Sequence, residues 1–230
     1  MAKKKLTERG IFIKTTDEYL KNCSDVLQVL DTFKKHEGGH INLLLEQIKN
    51  SIVGHYLGFD ETNVEKHGYD GKMTTESGQQ IYVEEKQLSL IQKHEPKATF
   101  NDWTLEKNKD YEKNNVWVAA ALWENYSRPL CIVFGKTNEG LSDYLEKETI
   151  KRYNSLKKDP NKVLRVSPTV EVTYLVKNCH CKVLSIHDDP ETLVEKLAKQ
   201  HIKITVNDVV TRNEFNTQRD IVEKSDSALF

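Results

Sequence analysis

The chain has 230 residues, a formal net charge of −1, 37% hydrophobic residues and 30% charged residues, which are ordinary values for a globular protein. The near-neutral charge argues against a protein that coats nucleic acid nonspecifically. The longest apolar run, residues 116–122, is far too short to span a membrane. Four cysteines are few, and the first residues lack the apolar core of a signal peptide, so we expect a cytoplasmic protein with no membrane partner.

Two helices are predicted in the first quarter of the chain. Thr15 and Glu18 form a capping-box pattern, and apolar residues then recur at helical spacing as far as Phe33. A Gly-Gly pair at residues 38–39 interrupts the chain. The second helix is predicted from Ile41 to Tyr56, and Glu46 lies off its apolar stripe.

A polar hairpin is predicted at residues 68–87. Its first strand ends at the acid Asp70, Gly78 lies in the turn, and the second strand carries Glu84 and Lys86 as a Glu-x-Lys pattern. A hairpin of this length can bring Asp70 back beside Glu84, so two carboxylates and an ammonium group converge. Side chains alternate between the faces of a strand, which places Ile81, Val83 and Glu85 on one face and Tyr82, Glu84 and Lys86 on the other.

These three groups suit metal-assisted hydrolysis of a phosphodiester bond. Carboxylate oxygens are ligands for Mg²⁺, which polarises a phosphate and lowers the pKa of a bound water. Lys86 can orient or deprotonate that water, or offset charge in the transition state. The alternative is that Glu84 and Lys86 form a solvated salt bridge, an interaction worth less than about 1 kcal/mol.

The hairpin resembles the catalytic region of the PD-(D/E)XK nuclease superfamily, with Tyr69-Asp70 in place of the usual Pro-Asp. The resemblance implies an α/β fold in which helices flank a central mixed β-sheet, as in restriction endonucleases. It implies Asp70, Glu84 and Lys86 as catalytic residues, and Asp70 and Glu84 as ligands of Mg²⁺. Glu46 is a further candidate ligand, because a helix before the hairpin often contributes an acid in this superfamily; the alternative is a solvent-facing helix residue.

The function implied by the resemblance is that of a type II restriction endonuclease in a restriction-modification system. Small members of the superfamily commonly act as homodimers on palindromic double-stranded DNA. The sequence has no G-x-x-x-x-G-K-[ST] motif, so we expect no requirement for ATP. Two alternatives are a DNA repair or recombination nuclease of the same fold, and a DNA-binding protein without catalytic activity.

The polar region after the hairpin, residues 93–115, is a candidate DNA-contacting loop. The alternative is a surface loop followed by a helix that Asp102 or Thr104 caps. Near the C-terminus, Arg212 and Asn213 have side chains that can read base edges, although an exposed polar tail has the same composition. The candidate DNA-binding residues are Lys93, Asn101, Asp102, Thr104, Lys107, Arg212 and Asn213.

The remaining elements suggest one nuclease domain, residues 1–187, and a C-terminal extension, residues 188–230, packed on it. Continuous apolar runs predict two buried strands at 116–122 and 130–134. A helix capped by Ser142 and a helix opened by Asp189-Pro190 are predicted around two further strands, at 169–176 and 182–186. Residues 178–181 are predicted to be a hairpin turn; a zinc site at Cys179 and Cys181 is the alternative.

Overall fold

The computed structural model describes residues 12–13, 18, 21–29, 42–62, 69–74, 78–90, 93–114, 116–125, 128–156 and 165–215. For residues 12–13, 42–47, 60–62 and 156 it describes the backbone only. Within these ranges, no helix combines the length and the apolar character that a membrane span needs. The described ranges contain ten strands: β1 (Phe12–Ile13), β2 (Asp60–Thr62), β3 (Gly71–Thr74), β4 (Gln80–Ser89), β5 (Lys97–Thr99), β6 (Trp117–Trp123), β7 (Pro129–Lys136), β8 (Thr169–Glu171), β9 (Lys182–Ser185) and β10 (Val209–Val210).

Eight of the described strands form one mixed sheet in the order β1-β2-β3-β4-β6-β7-β9-β10, while β5 and β8 form a separate antiparallel pair. The β4–β6 and β9–β10 pairs are parallel, and the other neighbours are antiparallel. The hairpin of β3 and β4 therefore lies inside the sheet, because β1 and β2 continue it outward. Besides a helical segment at residues 21–29, the described helices are α1 (Asn42–Leu57), α2 (Leu105–Lys113), α3 (Leu141–Leu156), α4 (Val172–Asn178) and α5 (Pro190–Ala198).

The sheet has an apolar core on each face. Val118 and Ala120 of β6 belong to one core, here called the α2-side core, together with residues of α2, α3, α4 and α5. Ala119 and Ala121 alternate with them and belong to the α1-side core, together with residues of α1 and of the segment 21–29. Burial on both faces explains why β6 is a continuous apolar run. This arrangement, a mixed sheet flanked by helices, confirms the predicted α/β fold class.

Three local predictions were wrong. The strand predicted at 169–176 ends at Glu171, and Val172 begins α4, whose buried residues Val172, Leu175 and Val176 follow helical spacing. Residues 169–176 contain several β-branched residues, which are typical of strands. Helix α3 begins at Leu141, so Ser142 lies inside it and its hydroxyl oxygen accepts a hydrogen bond from Asn108. Residues 178–181 connect a helix to a strand and therefore do not form a hairpin turn.

Neither cysteine of the Cys-x-Cys pair is placed as a zinc ligand. Cys179 and Cys181 are fully buried, and burial raises the pKa of both thiols, that of Cys179 to about 12. Zinc requires thiolates, which this environment disfavours. In the described ranges, no three His, Cys, Asp or Glu side chains form a group that could bind a metal.

The segment after residue 188 contributes to both the core and the sheet. Asp189 caps α5 as predicted, accepting a hydrogen bond from the Thr192 amide at 2.8 Å. Leu193 and Leu197 of this helix are buried in the α2-side core. The short strand β10 pairs with β9 at the edge of the sheet. The boundary between residues 187 and 188 stays a prediction.

Candidate active site

Asp70 lies directly opposite the Glu-x-Lys strand. The register of the hairpin pairs Gly71 with Val83, and the Asp70 amide donates to the Val83 carbonyl at 2.9 Å. The Asp70 carboxylate in turn accepts a hydrogen bond from the Glu85 amide at 2.7 Å. Asp70 therefore precedes β3, whereas the sequence predicted that it would end a strand. The partnership across the hairpin that the sequence predicted is nevertheless present.

Glu84 and Lys86 share one face of β4, as strand alternation predicts. Lys86 Nζ lies 2.5 Å from Glu84 Oε1. On the opposite face, Ile81 and Val83 pack in the α1-side core, and Glu85 is also buried. The side chain of Glu84 is 8% exposed and that of Lys86 is 15% exposed. The pair is thus a largely buried ion pair, which contradicts the alternative of a solvated salt bridge.

Helix α2 contributes two more groups to Glu84. The Tyr111 hydroxyl donates to Glu84 Oε2, and Lys107 Nζ lies 3.9 Å from Glu84 Oε1. The sequence predicts Lys107 as a DNA-binding residue, but it does not identify Tyr111 as a residue of the site. A signal was available: the two residues are four positions apart and therefore lie on one face of a helix.

Helix α2 is fixed at its start by hydrogen bonds. The hydroxyl oxygen of Thr104 accepts from the Lys107 amide at 3.0 Å and caps the helix, which agrees with the capping alternative for this residue. The Trp103 indole donates to Asn108 at 3.3 Å, and Asn108 donates to Ser142 of α3 at 3.0 Å. These contacts hold the face that carries Lys107 and Tyr111 toward β4.

Aromatic rings surround the cluster formed by Asp70, Glu84, Lys86 and Lys107, here called the pocket. Lys86 Nζ lies 5.3 Å from the centroid of the Phe100 ring. Lys107 Nζ lies 5.1 Å from the ring centroids of both Trp103 and Tyr111. Ring faces attract cations, and the apolar rings reduce the solvation of the ions beside them. Electrostatic interactions within this pocket are therefore stronger than at an exposed surface.

The electrostatics of the pocket separate the two carboxylates. Burial and the nearby charge of Glu84 raise the pKa of Asp70 to about 7. Burial also acts to raise the pKa of Glu84, but Lys86 and Lys107 outweigh it and hold that pKa below its ordinary value. Burial acts to lower the pKa of Lys86, whereas Glu84 and Asp70 raise it above its ordinary value. At neutral pH Glu84 and Lys86 are therefore charged, and Asp70 is partly protonated.

The donor set of the pocket fits a magnesium ion. Mg²⁺ is commonly held by one or two carboxylates and keeps several waters. Asp70 and Glu84 supply those oxygens. Burial, and after it the charge of Glu84, raises the pKa of Asp70, and a cation bound beside the carboxylate would favour its ionised form. The backbone of Glu46 lies in α1, but its side chain is outside the described residues, so its candidacy as a third ligand stays a prediction.

The remaining candidate DNA-binding residues lie at three places in the fold. Lys93 lines a cleft of about 420 Å³ together with other polar residues, including His94 and His201. Asn101 and Asp102 are exposed in the turn before α2. The Arg212 guanidinium lies 5.1 Å from the ring of Tyr56, a residue of the α1-side core, and Asn213 beside it is exposed. Contacts of these residues with DNA stay predictions.

Replacing Asp70 with asparagine should stabilise the folded protein by roughly 1–3 kcal/mol at pH 8 and by a clearly smaller amount at pH 5. The pKa of Asp70 rises from 3.8 to about 7 on folding. The folded state therefore binds more protons than the unfolded state between these values, and stability falls as pH rises through that window. Asparagine does not ionise, so the variant does not lose this stability as the pH rises.

Urea unfolding at both pH values measures the effect. The control is Asp143→Asn, which changes an exposed carboxylate of α3. An Asp70→Asn variant whose stability change is the same at both pH values would contradict the raised pKa of Asp70.

No protein-family model matches this sequence, and no curated protein matches it. The geometry of the pocket is therefore the basis for a functional proposal.

Proposed function

We propose that this protein is a Mg²⁺-dependent endonuclease that hydrolyses phosphodiester bonds of double-stranded DNA, as a type II restriction enzyme of the PD-(D/E)XK superfamily. The observation that carries the proposal is one largely buried cluster of charged groups in which Asp70 faces the strand of Glu84 and Lys86, with Lys86 2.5 Å from Glu84. Two acids and a lysine on a hairpin of a mixed sheet are the combination that the superfamily motif describes.

Asp70 and Glu84 are the residues that would hold Mg²⁺. When bound there, the ion supplies Lewis-acid chemistry, polarising the phosphate and lowering the pKa of a water. Lys86 keeps its proton at neutral pH, because the neighbouring carboxylates raise its pKa. Of the roles open to it, the charged donor fits best: the ammonium group orients the attacking water and offsets negative charge that develops on the phosphate.

Lys107 is the residue through which the pocket would meet its substrate. Its side chain is 32% exposed, about twice the 15% exposure of Lys86, and it extends from α2 over the rings of Trp103 and Tyr111. An ammonium group in this position can contact a DNA phosphate as it approaches Glu84. A homodimer, each subunit cutting one strand of a palindromic site without ATP, is the assembly proposed from the superfamily resemblance.

Incubation of the purified protein with unmethylated phage DNA and Mg²⁺ tests the proposal. We expect discrete fragments whose sequenced ends share one palindromic site, and no fragments in EDTA. Two variants serve as controls. Lys86→Ala removes the proposed charged donor and should cut poorly, whereas Lys109→Ala changes an exposed lysine of α2 and should cut like the wild type. Cutting directed by lesions or branched structures would indicate a repair or recombination nuclease. DNA binding without metal-dependent cutting would indicate a protein that only binds DNA.

Exchanging the metal ion should separate DNA binding from cleavage. We expect Ca²⁺ to support binding of the cognate duplex with little cutting, because its larger and looser coordination positions a water poorly. Binding should weaken in EDTA, since Glu84 and ionised Asp70 then face the phosphate without a divalent cation. Fluorescence anisotropy with a labelled duplex in Ca²⁺, Mg²⁺ or EDTA measures this. Tight, sequence-specific binding in EDTA would contradict the prediction.

A further inference from the structure

Both oxygens of the Glu84 carboxylate are engaged, and by groups from different elements. On one side, Lys86 of the same strand lies 2.5 Å from Oε1, and Lys107 of α2 lies 3.9 Å from that atom. On the other side, the hydroxyl of Tyr111 donates to Oε2. Lys86 moves with β4, because it belongs to the same strand. The hydrogen bond from Tyr111 ties the carboxylate directly to a second element, α2, whereas Lys107 of that helix contributes a longer ion pair.

The ring of Tyr111 is buried among other aromatic rings. It is 3% exposed and lies 4.9 Å from the Trp103 ring and 5.5 Å from the Tyr69 ring, measured between centroids. A phenylalanine would supply the same packing. The hydroxyl therefore adds nothing to the apolar contacts, and its hydrogen-bond partner is Glu84.

Helix α2 is a rigid support for this hydroxyl. Asn108 joins the Trp103 indole to Ser142 of α3, and Thr104 caps the helix. Tyr111 thus belongs to a frame that is anchored to a second helix independently of the hairpin. A carboxylate held from such a frame keeps one orientation, whereas a carboxylate held only along its own strand can rotate about its side-chain bonds.

We propose that Tyr111 is a positioning residue of the active site, which holds the Glu84 carboxylate in the orientation that binds the divalent cation. The inference rests on the proposed function, since it assigns Glu84 a cation to hold. Tyr111 acts through Glu84 and has no contact with substrate in this assignment. Partners of this kind orient metal ligands, and losing one typically weakens metal binding or activity about 10–100-fold.

The test compares Tyr111→Phe with Tyr144→Phe in the full-length protein. Tyr144 is a partly buried tyrosine on α3 whose hydroxyl donates to the Thr169 carbonyl at 3.1 Å, so its variant loses a similar hydrogen bond elsewhere. Isothermal titration calorimetry with Mg²⁺ alone gives the affinity, and thermal unfolding gives the stability of each variant. DNA cleavage kinetics give kcat and KM.

We expect Tyr111→Phe to bind Mg²⁺ about 10–100-fold more weakly than the wild type. At a fixed, subsaturating Mg²⁺ concentration, kcat/KM for DNA should fall, because a smaller share of the variant carries the cation. Tyr144→Phe should match the wild type in these measurements. A merely structural role would lower the unfolding temperature and leave the Mg²⁺ affinity of the folded protein as it was.

Tyr111→Phe with wild-type or tighter Mg²⁺ affinity overturns the inference, and so does a wild-type protein that binds no Mg²⁺. A different result would overturn the proposed function. A wild-type protein that binds Mg²⁺ but cuts no DNA rules out the nuclease, and the comparison of the two tyrosine variants by calorimetry still decides the role of Tyr111.

Discussion

Replacing Lys86 with alanine is expected to lower the rate of DNA cleavage by about 10²–10³-fold, because the variant loses the charged donor that we propose to lie beside the reacting phosphate. DNA binding should change little, since one ammonium contributes a small share of an interface made of many phosphate contacts. Single-turnover cleavage of the cognate duplex measures the first effect. Binding in Ca²⁺ measures the second.

The two comparisons for this prediction are Lys86→Arg and Glu85→Gln. Arginine should not restore the rate, because the guanidinium group is larger than the space that a 15% exposed lysine occupies between Glu84 and Phe100. Glu85→Gln should be far milder for catalysis, since the Glu85 side chain lies on the other face of β4. An inactive Glu85→Gln beside an active Glu84→Gln would show that the ligands were placed on the wrong face.

Glu84→Gln and Asp70→Ala are expected to lower cleavage by about 10²–10³-fold each, because each variant removes one of two carboxylates that would hold the cation. Their effects on stability should differ. Glu84→Gln removes the partner of two ammonium groups and leaves Lys86 as a buried charge, which is destabilising. Asp70→Ala removes a carboxylate whose ionisation burial opposes, so at pH 8 it should keep or gain stability.

Cleavage measured at saturating Mg²⁺ concentrations, with urea unfolding of the same preparations, separates the two effects. Near-normal cleavage by either variant would refute the assignment of that residue to the site. Low activity that follows the loss of folded protein, and is restored at lower temperature, would give Glu84 a structural role only.

Four of the charged and polar groups around the pocket satisfy one another before any cation binds. The carboxylate of Glu84 is balanced by Lys86 and Lys107, and Tyr111 donates to its second oxygen. Since a buried carboxylate without partners would oppose folding, these contacts allow the metal-free protein to fold. Occupation of the site by a cation must then compete with the bond from Lys86 for Glu84 Oε1.

The local pattern of the sequence determined the central feature of the site. The period of two in β4 placed Glu84 and Lys86 on one face and Glu85 on the other, and continuous apolar runs identified β6 and β7 as buried strands. Thr104 was one of two residues predicted to cap α2. Each of these features depends on neighbours within a few residues, and that information is present in the chain itself.

The tertiary structure decided which distant groups meet Glu84. The position of Asp70 before β3 follows from pairing Gly71 with Val83, and a different register would have moved its carboxylate. Tyr111 reaches Glu84 because β4 and β6 pair in parallel, which requires a crossover, and α2 lies in that crossover on the face that carries Glu84. The raised pKa of Asp70 depends on the same convergence. Sequence periodicity describes single elements, whereas these contacts depend on how the elements pack together.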